Sequence, residues 1–418
     1  MKLKSTFNYI NLFAVFLYLT LVFGFYIDEN LNFGAIPDWV HTDLPVINDL
    51  SINIKKTLLD YESYGHRHSP VYLIFLSLFK KIGFSLDAIR FLHLNLSLLL
   101  IIYFYKCLLL KFPKIEQNIL LLLSLTIFLS PTFRSLAIWP SSRLIGLIFF
   151  SISIYEFLKF LNYRKKINMW KNMIFLITSS YISPNFSLFA IFFLYHYLKK
   201  NNFKNLLGLL FFCFISSLPA LYYIFILDIN FLAASTPGLD PKLPISLSFN
   251  FSDKILIISS ILFFHLSPFL LNKEFIKELV KPSKKEFLII IIIFIICLFY
   301  FNYLIDFTGG GVFFQISNFF LGNNYFFYLI SFISLMILGK FSKNNINNFL
   351  VFFLLIISNI QNTIYHKYYD PLIMILFFTL INNSLNYKFF KNKNKFYYVY
   401  GFYFIFILMR VIKNNYLF

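Results

Sequence analysis

Charged residues are scarce in this chain. Asp, Glu, Lys and Arg together make up 13% of its 418 residues, whereas soluble domains average about 25%. Apolar residues reach 59%, the mean hydropathy is +0.72, and the apolar residues recur in runs along the whole chain. This composition excludes a single large water-soluble core and indicates an integral membrane protein.

Cysteine is rarer still, with three residues that all lie in or beside apolar runs: Cys107, Cys213 and Cys297. Their spacing fits neither a disulfide pair nor a zinc site. Glycine clusters only at 309–311, without the strand and helix that a nucleotide-phosphate loop requires. We therefore expect no disulfide, no cysteine-bound metal and no nucleotide site. The glycine run is either a plain turn or part of a donor groove.

Acidic residues are outnumbered, 18 against 37 basic ones, which gives a net charge of +19. Such an excess can indicate nucleic-acid binding when the basic residues form one stripe. Here they are dispersed through short segments between apolar runs. We therefore expect a membrane partner and no nucleic acid.

The apolar runs predict an all-α membrane protein with about thirteen transmembrane helices, because a span needs roughly 17–25 residues. No repeat or linker divides the chain, so residues 1–418 are expected to form a single polytopic membrane domain. The predicted spans are 9–27, 88–105, 117–130, 144–158, 172–183, 185–198, 205–227, 255–271, 287–304, 325–339, 347–363, 371–386 and 397–414.

Residues 69–83 are too short for a span and carry two lysines, at 80 and 81, near their end, so we interpret them as an interfacial helix. A cytoplasmic N-terminus then places most Lys and Arg residues in the cytoplasm, as the positive-inside rule requires. The C-terminus is expected in the periplasm, and the membrane is expected to be a bacterial inner membrane. The longer outer segments are then 28–87, 131–143, 228–254 and 305–324.

The first outer loop, 28–87, is the densest polar feature, with seven of the 18 acids between positions 28 and 62. Asp28 and Glu29 follow the first span directly, where desolvation at the membrane boundary suits a carboxylate to act as a general base. The alternative is a solvated loop without function, whose acids lie outside only because basic residues are enriched on the cytoplasmic side.

Basic and imidazole side chains stand near these acids in the sequence. His66, Arg67 and His68 end the first loop, and Arg90 and Arg143 open later spans on the outer side. A guanidinium there can bind phosphate through its planar fork of donors, or it can merely extend toward lipid headgroups. The His66-x-His68 pair is an alternative, unspecific zinc site. The other histidines, His41, His93, His196, His265 and His366, are expected to be structural or solvated.

Several motifs resemble the GT-C superfamily of membrane glycosyltransferases, in the branch of protein O-mannosyltransferases and the lipid A aminoarabinose transferase. Asp28-Glu29 after the first span resembles the acidic pair of that branch. The segment 68–72 resembles its His-Pro-Pro-Leu-Tyr motif, with Ser69 in place of the first proline. Arg90 stands where the family has an arginine. Segments 130–139 and 367–371 resemble its second outer loop and its late Arg-Tyr-x-x-Pro motif.

The resemblance implies transfer of a sugar from a polyprenyl-phosphate donor to a lipid, glycan or protein acceptor at the periplasmic face, with inversion. Asp28 or, if 28–48 is an insertion, Asp49 would take the acceptor proton, and Glu29 would orient the acceptor. Arg90 and Arg143 would stabilise the leaving phosphate, while the 66–68 segment would contact sugar or phosphate. No cofactor is expected, because the second outer loop lacks the acid that supports a divalent metal in relatives.

Three other functions remain open. A flippase or transporter of lipid-linked substrates would carry charges near the membrane midplane, in broken helices. An O-antigen polymerase or ligase also has outer arginines, but tends to carry its large outer loop late in the chain. A purely structural role would leave the acidic and histidine clusters unexplained.

Overall fold

The structure is a computed structural model that describes residues 2–32, 34–64, 69–200, 203–226, 250–270, 284–304, 309–343, 345–359, 363–383, 385–390 and 394–416. All regular secondary structure in these ranges is helical. The α-helices are α1 Lys2–Tyr26, α2 Ala35–Pro37, α3 Leu44–Ile52, α4 Ile54–Leu59, α5 Val71–Lys81, α6 Leu86–Lys111, α7 Gln117–Leu125, α8 Pro131–Ile138, α9 Ser142–Tyr163, α10 Lys166–Ile182, α11 Ala190–Lys200, α12 Phe203–Phe225, α13 Phe251–Leu270, α14 Lys284–Phe299, α15 Gly311–Leu321, α16 Tyr325–Ser342, α17 Ile346–Ile357, α18 Leu372–Thr379, α19 Leu385–Phe390 and α20 Lys395–Tyr416.

Shorter helical segments connect some of these elements. A π-helix spans Asp38–Asp43, and 3-10 helices span Tyr61–Tyr64, Thr126–Leu129, Pro184–Phe189 and His366–Tyr368. The described chain divides into two compact units: Met1–Phe231 with Tyr400–Phe418, and Leu232–Val399. Each unit is described by itself below.

Seven helices in the described ranges are long and apolar enough to cross a membrane, consistent with an integral membrane protein. They are α1, α6, α9, α12, α13, α16 and α20, and each coincides with one of the predicted spans. The pair formed by residues 117–129 and 131–138 bends by 67°, which is a broken span or a re-entrant segment. Counting that pair as one span gives eight, so the prediction of about thirteen is not confirmed.

Two of the remaining predicted spans fall on short helices of the second unit. α17 has 12 residues and α18 has 8, which corresponds to about 18 and 12 Å at 1.5 Å per residue, against roughly 30 Å of hydrocarbon. Asn348 near the start of α17 and Asn382 just after α18 hydrogen-bond each other twice, at 2.8 and 2.9 Å. The two helices therefore form a hairpin whose outer ends are level.

The segment between α1 and α6 contains only short helices in its described part. Residues 69–83, which the sequence predicts to be an interfacial helix, contain α5, which has 11 residues and is too short to be a span. One face of α5 is buried, with Tyr72, Leu73 and Leu76 inside. Lys80 near its C-terminal end donates a hydrogen bond to the Asn48 side chain on α3. The segment is thus folded onto its own unit.

Polar side chains join the long helices of the first unit. On α10, Asn172 donates to the Ser153 carbonyl and hydroxyl of α9, both at 2.8 Å. The Tyr197 hydroxyl of α11 donates to Asn172 Oδ1 at 2.9 Å. Interhelical hydrogen bonds of this kind associate helices where lipid offers no competing partners. They join α9, α10 and α11 within the first unit.

Candidate functional site

The chain turns sharply where α1 ends. The Glu29 amide donates to the Gly24 carbonyl at 2.8 Å, which closes the last helical turn. Asp28 within this turn has a φ of 53°, in the left-handed region that Asp tolerates better than most residues. The turn directs the carboxylates of Asp28 and Glu29 toward two different arginines. A non-glycine residue held in this conformation is a feature that clusters at functional sites.

Asp28 pairs with Arg90, which lies in the first turns of α6. Arg90 Nη2 donates to Asp28 Oδ1 at 2.6 Å, and Nη1 donates to Asp87 Oδ1 at 3.2 Å. The Arg90 side chain is 9% exposed, whereas that of Asp28 is 60% exposed. The cation is therefore buried and fixed, while the carboxylate that it orients remains open to solvent.

Aromatic rings hold the Arg90 guanidinium from its faces. Its Cζ lies 3.8 Å from the centroid of a Trp139 ring and 5.0 Å from that of Phe25. Stacking of this kind is specific to a planar guanidinium and is worth about 0.5–2 kcal/mol. The Trp139 indole in turn donates to the Glu29 carbonyl at 3.0 Å. Arg90 is thus fixed in position by both charge and packing.

Glu29 is held by a second arginine, Arg134 on α8. Arg134 Nε donates to Glu29 Oε1 at 2.6 Å and Nη2 donates to Oε2 at 2.7 Å, which is a bidentate pair. The same guanidinium donates to the Thr20 carbonyl and hydroxyl of α1, at 2.9 and 3.1 Å. The side chains of Arg134 and Glu29 are 7% and 16% exposed. This pair ties α8 to the end of α1.

A buried histidine lies one turn along α6 from Arg90. His93 Nε2 lies 2.7 Å from the Leu136 carbonyl, which can only accept, so Nε2 donates. His93 Nδ1 is then the acceptor of the hydrogen bond from the Tyr72 hydroxyl. Burial, with a smaller contribution from Asp43, raises the pKa of Tyr72, which keeps this hydroxyl a donor. The hydrogen bond between Tyr72 and His93 links α5 to α6, three residues from Arg90.

Two of the other predicted site residues, Asp49 and Arg143, lie within the described residues. Asp49 on α3 accepts a hydrogen bond from the Tyr64 hydroxyl at 2.5 Å. Arg143 lies in the first turn of α9, partly buried, four residues after Trp139. Residues 66–68, with His66, Arg67 and His68, lie outside the described residues. The structure therefore joins Asp28, Glu29 and Arg90 into one cluster.

Arg134 and Trp139 complete the cluster but were not among the predicted site residues. Both lie in the segment 130–139, which was linked to the site only through its resemblance to an outer loop. The signal in the sequence was Arg134 itself, a lone cation in an otherwise apolar stretch, because such a residue normally requires a buried partner. Asp87 carried no signal of its own.

Three glycines at 309–311 are explained by backbone geometry. All three have positive φ values, 138°, 77° and 78°, which L side chains rarely adopt. A side chain at Gly309 would lie 2.8 Å from the Ile364 carbonyl oxygen, and the Gly310 amide donates to that same oxygen at 3.0 Å. The run is a tight connection against residues 363–364 of the second unit.

The second unit brings together three polar residues that are distant in sequence. His265 lies on α13, and His366 and Asp370 lie between α17 and α18. His265 Nε2 is 2.8 Å from His366 Nε2, and His265 Nδ1 is 4.0 Å from Asp370 Oδ1. One ligand atom from each residue lies within 4.8 Å of the others, so the group could hold a metal ion. The sequence predicts a structural or solvated role for both histidines.

In comparisons with known proteins, no family model, no curated protein and no solved structure matches this chain.

Proposed function

We propose that this chain is a membrane glycosyltransferase that moves a sugar from a polyprenyl-phosphate donor to a lipid, glycan or protein acceptor. The observation that carries the proposal is the solvent-open Asp28 carboxylate, held in a left-handed turn by the buried Arg90. A general base needs a fixed orientation and access to its substrate. The charge bias of the sequence favours the periplasmic face for this site.

Asp28 takes the proton of the acceptor hydroxyl or amine in this mechanism. The freed oxygen or nitrogen attacks the anomeric carbon, and the bond from that carbon to the phosphate oxygen breaks with inversion. The electron pair leaves with the lipid phosphate, whose growing negative charge requires cationic donors. The proton passes from Asp28 to solvent, which reaches the carboxylate because its side chain is 60% exposed.

The two arginines of the cluster act as positioning residues. Arg90 already donates to Asp28 and Asp87, so its first effect is to fix the base. Arg134 holds Glu29 through both carboxylate oxygens, which leaves Glu29 better suited to fixing the turn than to contacting the acceptor. Contact with phosphate and sugar then falls to Arg143 and to residues 66–68, as the sequence suggested.

Asp28 is a better candidate for the base than Asp49. Asp49 accepts a hydrogen bond from Tyr64, and a single phenol is a weaker means of orientation than a buried guanidinium with aromatic packing. Asp28 lies in a strained turn, and Asp49 lies within the regular helix α3. The two residues therefore form a matched pair for a test.

The test uses right-side-out and inside-out vesicles supplied with radiolabelled polyprenyl-phosphate sugars. We expect transfer in vesicles that expose the periplasmic face, and a loss of at least about 100-fold in Asp28→Asn. Asn tolerates the left-handed turn and can still accept from Arg90, so Asp28→Asn keeps the fold. Asp49→Asn should transfer label within about twofold of wild type, because only the base contributes a factor of that size.

Each other outcome contradicts part of the proposal. Loss in Asp49→Asn with retention in Asp28→Asn would assign the base to Asp49. Absence of donor consumption by wild type in both vesicle orientations would exclude a transferase. Protein abundance and a single gel-filtration peak are measured for every variant, so that misfolding is recognised.

A transporter of lipid-linked substrates is the second candidate, favoured by the hairpin of α17 and α18. Such proteins bind their cargo at broken helices near the midplane of the membrane. The described hairpin carries the buried His366 and Asp370 at its break. In the vesicle experiment a transporter moves label across the bilayer without joining it to an acceptor, and Asp28→Asn then leaves that movement intact.

A further inference from the structure

The cluster formed by His265, His366 and Asp370 is buried within the second unit. The side chains of His265 and Asp370 are 1% and 0% exposed, and His366 is 6% exposed. α13 supplies one imidazole, and the break between α17 and α18 supplies the other imidazole and the carboxylate. His265 presents Nε2 to His366 at 2.8 Å and Nδ1 to Asp370 at 4.0 Å, so it lies between the other two residues of this buried cluster.

The donor set favours a transition-metal dication. Imidazole nitrogen with carboxylate oxygen suits zinc and its neighbours, whereas calcium and magnesium prefer oxygen alone. Two nitrogens bound to one tetrahedral zinc at about 2.0–2.1 Å lie about 3.3 Å apart. The two Nε2 atoms are 2.8 Å apart, and His265 faces Asp370 with its other nitrogen. A shared ion therefore requires the His265 ring to rotate until one nitrogen faces both partners, and the three ligand atoms already lie within 4.8 Å of one another.

Electrostatics favours the same occupant. A carboxylate buried among apolar side chains is costly, and metal coordination is one of the ways in which proteins offset that cost. The rings around the cluster keep its surroundings apolar: Phe264 lies 5.3 Å from His265 and 5.5 Å from His366, between ring centroids. Phe313 packs against Phe264 at 5.9 Å. A dication would neutralise Asp370 and bind the imidazoles in their neutral form.

We infer that His265, His366 and Asp370 form a zinc-type metal site with three protein ligands. Three protein ligands leave a fourth position for water or for a ligand, as in catalytic rather than closed structural zinc sites. The site would fix the break between α17 and α18 onto α13. It lies in the second unit and does not depend on the transferase proposal.

The test uses the full chain with a histidine-free tag, purified in detergent and stripped with a chelator. Zinc is then added back and measured by elemental analysis after gel filtration. We expect one zinc per chain, retained in the presence of excess magnesium. Mutating a residue that only hydrogen-bonds a metal ligand already lowers metal affinity by about 10–100-fold. Removing a ligand itself, in His366→Gln or Asp370→Asn, should therefore lower zinc affinity by at least about 100-fold.

Two further variants separate metal binding from a structural role. His196 is also buried, packed 4.7 Å from the Phe192 ring in the first unit, and His196→Gln should keep the full zinc content. His366→Cys should still bind Co²⁺ and should add a sulfur-to-cobalt charge-transfer band that wild type lacks. A merely structural histidine gives no such band.

Several outcomes would overturn the inference. Wild type that retains no stoichiometric zinc would exclude the site. Equal loss of zinc in His196→Gln would show that the metal responds to general destabilisation. A His366→Cys protein that binds cobalt without the sulfur band would place the metal elsewhere.

Discussion

The two units keep buried charge by different chemistry. In the first unit, Glu29 is matched to a guanidinium that stays charged at any working pH. In the second, Asp370 is matched to imidazoles, which are neutral or charged according to their surroundings. The first arrangement is complete with protein atoms alone, and it fixes a turn. The second leaves room for a cation, and it suits a site that a ligand completes.

The largest loss of stability is expected when the arginine of the Glu29–Arg134 pair is removed. Arg134→Met leaves Glu29 buried without its bidentate partner, and we expect the free energy of unfolding to fall by about 3–5 kcal/mol. The measurement is denaturant unfolding in mild detergent, followed by circular dichroism.

The control for this change is an ion pair nearer to solvent. Lys343 and Glu286 lie 2.6 Å apart, with side chains 48% and 28% exposed, and pairs of this kind contribute about 0–1 kcal/mol. Lys343→Met should therefore have little effect. Equal losses in the two variants would mean that the Glu29–Arg134 pair is not specially stabilising.

A smaller effect is expected from crowding the same pair. A methyl group at Gly24 would lie 2.9 Å from Glu29 Oε2 and 3.0 Å from Arg134 Nη2. Gly24→Ala should therefore destabilise by about 1–3 kcal/mol through overpacking. Gly208 is the matched control, because no atom lies within 4 Å of its added Cβ. Thermal unfolding should show Gly208→Ala unchanged or more stable, and a reversed order would contradict the close fit at Gly24.

The smallest effect concerns the Tyr64 phenol, which donates to Asp49, the alternative candidate for the base. The hydrogen bond to Asp49 raises the pKa of Tyr64 from its ordinary 10.0 to about 12. Since the folded pKa is the higher one, this contact stabilises the fold fully below about pH 10 and is lost as the pH rises through about 12. The stability difference between wild type and Tyr64→Phe should vanish over that interval. A difference that persists above pH 12 would show that packing, not the hydrogen bond, is lost.

The sequence predicted the long helices well because each is a continuous apolar run. The seven candidate spans coincide with predicted ones. Sequence alone could not find the hairpin, because α17 and α18 with their flanking residues have the composition of two full spans. Their length is limited by the break that includes residues 363–371, where backbone irregularity is tolerated because most of these residues are buried in protein. Hydropathy does not record that burial.

The same contrast holds for the two clusters. Asp28 and Arg90 were predictable because each is a charged residue beside a span, where charge is unusual. Arg134 was harder to predict as a site residue, because only its contact with Glu29, 105 positions away, links it to the site. His265 and His366 are 101 positions apart, and neither follows a metal-binding spacing. Only the folded chain brings such residues together.

The hairpin of α17 and α18 also changes how the topology is counted. Because its ends meet through Asn348 and Asn382, a chain that enters a membrane along α17 leaves it again on the same side. Two full spans would also return the chain to its starting side, so replacing them by the hairpin removes two crossings and preserves parity. The side on which α20 begins is therefore the same whether α17 and α18 form this hairpin or belong to two full spans.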